Sequence, residues 1–99
     1  RQMCIRDSCG IKITSNHLHP VYVKDDIICI SKRTPRNGDT VIAIHKETGR
    51  AYIRRYVHGS KTKLVPINGF GDTIEIDPNS FEELEQWVMF GVVIAVLRR

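Results

Sequence analysis

The chain has 99 residues, of which 41% are hydrophobic and 26% charged, a balance that suits one globular domain with a modest core and excludes disorder or a collagen-like repeat. The formal net charge of +4 is compatible with a polyanion partner, yet the basic residues alternate with Asp and Glu in the manner of a solvated mixed surface. Cys4, Cys9 and Cys29 are odd in number and lack Cys-x-x-Cys spacing, so neither a disulfide framework nor a zinc ribbon is expected, and a reducing, cytoplasmic setting fits.

Residues 1–8, Arg-Gln-Met-Cys-Ile-Arg-Asp-Ser, resemble a peptide produced when sequencing-adapter DNA is translated at the edge of an assembled contig. They are set aside as an artefact or a disordered leader. One domain is expected over residues 9–99, with the natural protein continuing upstream of Cys9.

From Asp26 the chain reads as short strands separated by turns. Asp26 to Ser31 holds a continuous apolar run, Ile27-Ile-Cys-Ile30, short enough for a buried strand. The turn Pro35-Arg-Asn-Gly38-Asp39 follows, its Asn37-Gly38 tolerating positive φ. Thr40 to His45 sets Val41 and Ala43 against Ile42 and Ile44, and Ala51 to Val57 sets Tyr52, Arg54 and Tyr56 against Ile53, Arg55 and Val57. Lys46 to Arg50, with Gly49, suits a hairpin. Further strands are predicted over Lys63 to Ile67 and Thr73 to Asp77, with a break at Pro66 to Gly71. Ser80 stands three residues before Glu83 like a helix cap, but the segment is brief and a single turn or loop is expected.

Trp87 to Arg98 closes the chain as an apolar strand in which Gly91 marks a bulge or a close backbone approach. Its longest apolar stretch, Trp87 to Leu97, is far shorter than the roughly 20 residues of a bilayer-spanning helix, so no membrane segment is expected. Six short strands at hairpin spacing bury their faces in an all-β, partly closed barrel.

His17-Leu18-His-Pro20, followed by Asp25-Asp26 before the first apolar strand, resembles the active-site segment of the LexA, UmuD and phage CI repressor family. The family pattern is Ser-Met-x-Pro, a spacer, then Gly-Asp; Leu18, Pro20 and Asp26 match it in kind. Asp25 stands for the glycine and His17 for the serine. Ile53-Arg54-Arg55 corresponds to an apolar residue followed by Lys-Arg, Leu64-Val-Pro66-Ile-Asn68 is similar to Leu-x-Pro-x-Asn, and Phe90 to Val93 with Arg98 is similar to the last strand. The resemblance spans about Ser15 to Arg99 and implies a signal-peptidase-like β fold.

It also implies self-cleavage in which a serine hydroxyl attacks a peptide bond and a neutral lysine takes the proton. A guanidinium offers donors and no lone pair, so Arg54 does not copy that base. An imidazole at His17 serves amide hydrolysis as a base and brings no hydroxyl. Ser15 would share a strand face with His17, but residues two apart lie about 7 Å apart at the backbone, which displaces the oxyanion donors. The family's scissile bond, a small residue before glycine, is matched by Cys9-Gly10, too near His17 to reach a site there.

Other constellations have plain readings. His17 and His19 could hold a metal if Asp25, Asp26 or His45 converged, but no further spaced ligand supports a site, and no cofactor is expected. Arg50, Arg54, Arg55, Lys61 and Lys63 could contact phosphates beside Tyr52 and Tyr56, or could be edge-strand charges that block sheet pairing. Trp87, Met89 and Phe90 open the last strand with large apolar groups and are the candidate interface, since family members pair through this domain.

The expectation is a peptidase-inactive domain that forms a homodimer or higher oligomer, so that an upstream helix-turn-helix holds two DNA half-sites. Induction would then come from an antirepressor protein. The alternatives are an active self-cleaving Ser/Lys-type peptidase and a stand-alone nucleic-acid-binding β-barrel.

Overall fold

The structure, a computed structural model, describes residues 2–5 and 8–98, with side chains from Cys9 onward. Eight strands run in chain order as β1 (Gln2–Ile5), β2 (Ser8–Lys12), β3 (Ile27–Ser31), β4 (Thr40–His45), β5 (Ala51–His58), β6 (Thr62–Pro66), β7 (Ile74–Ile76) and β8 (Trp87–Leu97), with helix α1 (Phe81–Gln86) before the last. They form one antiparallel sheet in the order β1-β2-β3-β8-β4-β5-β6-β7.

The all-β expectation therefore holds, and the strands from β3 to β8 lie within a residue or two of their predicted limits. The sheet gains two strands that the sequence reading lacked. Gln2–Ile5, set aside as leader, pairs with Ser8–Lys12, where Cys9 and Ile11 alternate with Gly10 and Lys12 although the sequence reading placed no strand there. Closure differs as well. The strand order is linear with edges at β1 and β7, so no ladder closes a barrel. The cysteine expectation also needs correction: Cys9 is disulfide-bonded, while Cys29 is a free thiol. Position 9 faces position 4 across the β1–β2 ladder, so strand pairing supplies a proximity that the sequence spacing did not advertise.

Alternation along β4 explains how one sheet carries core on both faces. Ile42 joins Ile28, Ile30, Ile13, Tyr22 and Cys9 on one side, packed against Leu18, Ile53, Ile67 and Phe90. Val41 and Ala43 join Leu64, Ile76 and Val92 on the other, packed against Tyr56, Trp87 and Met89. Each fully buried Ile, Leu or Val contributes roughly 1.5–3 kcal/mol. Ile28, Ile30, Leu64, Val41 and Val92 are the largest such groups.

The last strand is inserted between β3 and β4, and Val92 pairs with both Ser31 and Val41. Two register shifts, between Cys29 and Ile30 and between Ile42 and Ala43, leave Ile94 and Phe90 as extra residues on β8. The predicted close approach at Gly91 is present: a Cβ there would lie 2.2 Å from Ile30 Cγ2 and 2.9 Å from the Ser31 carbonyl oxygen. The capped segment is a six-residue helix and not a loop. Ser80 Oγ accepts from the Glu83 amide at 3.4 Å, and Glu83 Oε2 accepts from the Asp77 amide at 2.6 Å. The carboxylate thus reaches past the cap to pin the incoming chain.

A basic cleft at the candidate peptidase-like site

Residues between β2 and β3 form the loop that carries His17, Leu18 and Pro20. Its base is fixed by Asp26, which is 3% exposed. Asp26 Oδ2 accepts from the Val23 amide at 2.9 Å and from Arg98 Nε at 3.1 Å, and Arg98 Nη2 also donates to the Val21 carbonyl. A buried carboxylate needs such partners, because desolvation is otherwise uncompensated. Next to it, burial pushes the pKa of the Tyr22 hydroxyl up, partly offset by its hydrogen bond to Thr40 and by the charge of Arg98.

Asp25, at the position where the resemblance implies glycine, has φ of +77°. This left-handed conformation is one that glycine adopts without penalty and that Asp tolerates better than most residues. Asp25 Oδ1 lies 3.5 Å from Lys12 Nζ, with both side chains more than half exposed.

The loop's outer part is held from the far end of the sheet. Asn68, in the β6–β7 loop, donates through Nδ2 to the carbonyls of His17 at 2.9 Å and His19 at 3.3 Å. Its Oδ1 accepts from the Phe70 amide at 3.2 Å. These side-chain bonds link the β2–β3 and β6–β7 loops, whose Leu18 and Ile67 also pack against the same core cluster.

Between them lies a cleft of about 550 Å³, lined among others by Lys12, Ser15, His17, Arg50, Arg54 and Asn68. The positions that the family resemblance assigned to nucleophile and base, His17 and Arg54, therefore line one cavity, with Leu18 beside them. His17 is exposed and Arg54 is half-buried. Leu18 packs against the core, whereas Pro20 is exposed and follows a cis peptide bond. Asp26 stands outside the cleft as a support for the loop, and Arg55 is exposed on β5.

Arg54 Nη1 donates to the Ile53 carbonyl at 3.0 Å, and its guanidinium carbon lies 5.3 Å from the Tyr52 ring centroid. Its Nε is buried without a hydrogen-bond partner, an arrangement that costs on the order of 1–3 kcal/mol. Among the described residues the lining contains Lys12, Arg50 and Arg54 and no carboxylate. Sequence reasoning found Arg54, His17 and Asn68 but missed Lys12 and Phe70, whose place at the cleft depends on loops far apart in the chain.

The remaining candidates are dispersed. Cys9-Gly10 lies within β2, paired on both sides, and Cys9 is buried. Among the described residues no group of His, Cys, Asp and Glu is placed to hold a metal ion. Trp87 makes edge-on contacts with His45 at 4.9 Å and Tyr52 at 5.5 Å between ring centroids. Met89 packs on the second core cluster, and Phe90 packs on the first with Lys32 Nζ 4.8 Å from its centroid. The large side chains that β8 exposes are Val88, Ile94 and Leu97.

A single antiparallel sheet whose β2–β3 loop and β5 meet at a cleft, with His17, Leu18, Arg54 and Asn68 on its walls, defines a peptidase-like β domain. Residues 3–94 match the family model described as Peptidase S24-like, and the chain belongs to that family. No curated protein matches the chain. Among the described residues no helix is long and apolar enough to cross a membrane.

Proposed function

We propose that this domain is the peptidase-inactive assembly module of a LexA-like or phage-type transcriptional repressor, which pairs with a second copy and so couples two upstream DNA-binding domains. The observation that carries the inactive reading is His17 and Arg54 on the walls of one cleft. Hydrolysis at such a site needs a nucleophile activated by a group able to accept its proton. Arg54 brings only donors to the position, and His17 brings no hydroxyl. Both side chains then serve the shape and charge of the cleft.

Pairing is supported by the outward apolar groups Val88, Ile94 and Leu97 on β8, since burying them against a copy removes apolar surface from water. The partner of the assembled form is DNA, reached through the upstream domain, with an antirepressor protein as the inducing ligand in the cytoplasm. Affinity then rises because the second half-site is met at high effective concentration.

The test is incubation of the purified protein at mildly alkaline pH, read by mass spectrometry, alongside sedimentation analysis of its oligomeric state. An intact, dimeric chain is the expected result. Cleavage within the chain would replace this reading with that of an active peptidase, and a monomer at all concentrations would remove the assembly role.

A further inference from the structure

We infer that the cleft beside Arg54 binds an extended peptide segment of a partner protein through an acidic side chain flanked by apolar residues. Charge is the first observation. Lys12, Arg50 and Arg54 line the cleft with His17, and among the described residues no Asp or Glu stands with them. Lys12 already meets Asp25, whereas among the described residues neither Arg50 nor Arg54 has a carboxylate partner.

Arg54 is the anchor because one hydrogen bond occupies a side chain with five N–H donors. Nη1 caps the Ile53 carbonyl, while Nε is buried and unpartnered. The Cβ that Gly71 lacks would come within 3.5 Å of Nη2, so the β6–β7 loop closes over one side of the guanidinium. A guanidinium presents its donors in a fixed fork that matches a carboxylate, and a carboxylate partner is what a buried, unused Nε–H lacks.

The edge of the sheet is the second observation and selects a peptide. Ala51, Tyr52 and Ile53 pair with β4, but the β6 ladder begins only at Arg54, opposite Pro66. These three residues of the eight in β5 form a cleft wall with no strand on their outer side among the described residues, and an extended segment can add there by main-chain hydrogen bonds. Ile11, Ile13, Leu18, Ile42 and Ile53 line the same cavity and would receive the flanking apolar side chains. The volume of about 550 Å³ lies in the range of ligand sites.

The inference rests on the reading of the cleft as non-hydrolytic, and it gives the inducing partner a chemistry: an acidic, extended segment. Cleavage tests the former, and a binding titration tests the latter, so either can fail alone. The titration uses the acetylated and amidated pentapeptide Ala-Leu-Glu-Leu-Ala, its Gln counterpart, and hexanoate, followed by calorimetry and by the arginine Nε–H resonances.

The Glu peptide is expected to bind about tenfold tighter than the Gln peptide, to weaken with salt, and to shift the Arg54 Nε–H signal. Arg54→Gln should abolish the preference, with Arg54→Lys restoring part of it. The exposed Arg50→Gln variant should reduce it and serves where the Arg54 variants fold poorly. Equal binding of the two peptides, no binding of either, or a preference that survives both Arg54→Gln and Arg50→Gln would overturn the assignment. Hexanoate binding as tightly as the Glu peptide would overturn the choice of a peptide ligand.

Discussion

The side-chain amide of Asn68 donates to the carbonyl of His17 at 2.9 Å, bridging 51 positions of chain and two ends of the sheet. Because the same Nδ2 also reaches the His19 carbonyl, one amide orders the loop that carries the motif. Asn68→Ala should lower stability by about 1 kcal/mol and speed amide exchange over residues 16–22. Asn68→Asp should cost more, since a carboxylate oxygen would face two carbonyls. Thermal melts of the three proteins, with wild type highest and Asp lowest, check the order.

The left-handed φ of Asp25 turns a motif substitution into a stability prediction. Glycine carries no Cβ penalty there, and the exposed Lys12 contact is worth little. Asp25→Gly should raise stability by up to about 1 kcal/mol, and Asp25→Ala should lower it by a similar amount. A denaturant series in which Ala equals Gly would contradict the backbone argument.

Gly91 faces a harder constraint. A methyl group would meet Ile30 Cγ2 and the Ser31 carbonyl inside contact distance, and Ile30 is fully buried. Gly91→Ala should destabilise by about 1–3 kcal/mol as the β3–β8 ladder is forced apart. Combining it with Ile30→Leu, which lacks the γ2 methyl group that a Cβ at position 91 would meet, should recover part of the loss in a double-mutant cycle.

Asp26 and Arg98 are unequal partners, the carboxylate side chain 4% exposed and the guanidinium 54% exposed. Removing Arg98 leaves the carboxylate with the Val23 amide still bound, so Arg98→Ala should cost about 1–2 kcal/mol, below the loss for breaking a fully buried pair. Asp26→Ala should cost more, because it also releases the Val23 amide. Equal losses measured by urea unfolding would mean that the amide bond contributes nothing.

At Asp39, Arg33 donates two hydrogen bonds, at 2.8 and 3.1 Å, and the Arg36 amide a third at 2.7 Å. The Arg33 bonds first, then the Arg36 amide, hold the carboxyl below its ordinary value of 3.8. A depressed native pKa contributes stability that is present above the unfolded value and lost as pH falls through the native one. Asp39→Asn should therefore be less stable than wild type at neutral pH, with the difference shrinking below about pH 4. Melts across pH 2–7 follow the convergence.

Alternation and turn chemistry in the sequence were enough to specify β3 to β8 and the all-β class, because side-chain period and turn geometry are local. The same local logic made Gly91 a close approach, whereas the family resemblance marked Asp25 as a departure from glycine. Motif order named His17, Arg54 and Asn68, but spacing alone could say nothing about whether they meet. Only the tertiary structure decided that. Strand order is set by the long-range insertion of β8 between β3 and β4, and the curl of the sheet brings the β2–β3 and β6–β7 loops together around one cleft. The unused Nε of Arg54 belongs to the same class of fact. Each depends on which distant groups share a neighbourhood, and hydrophobic packing over the whole sheet determines that collectively.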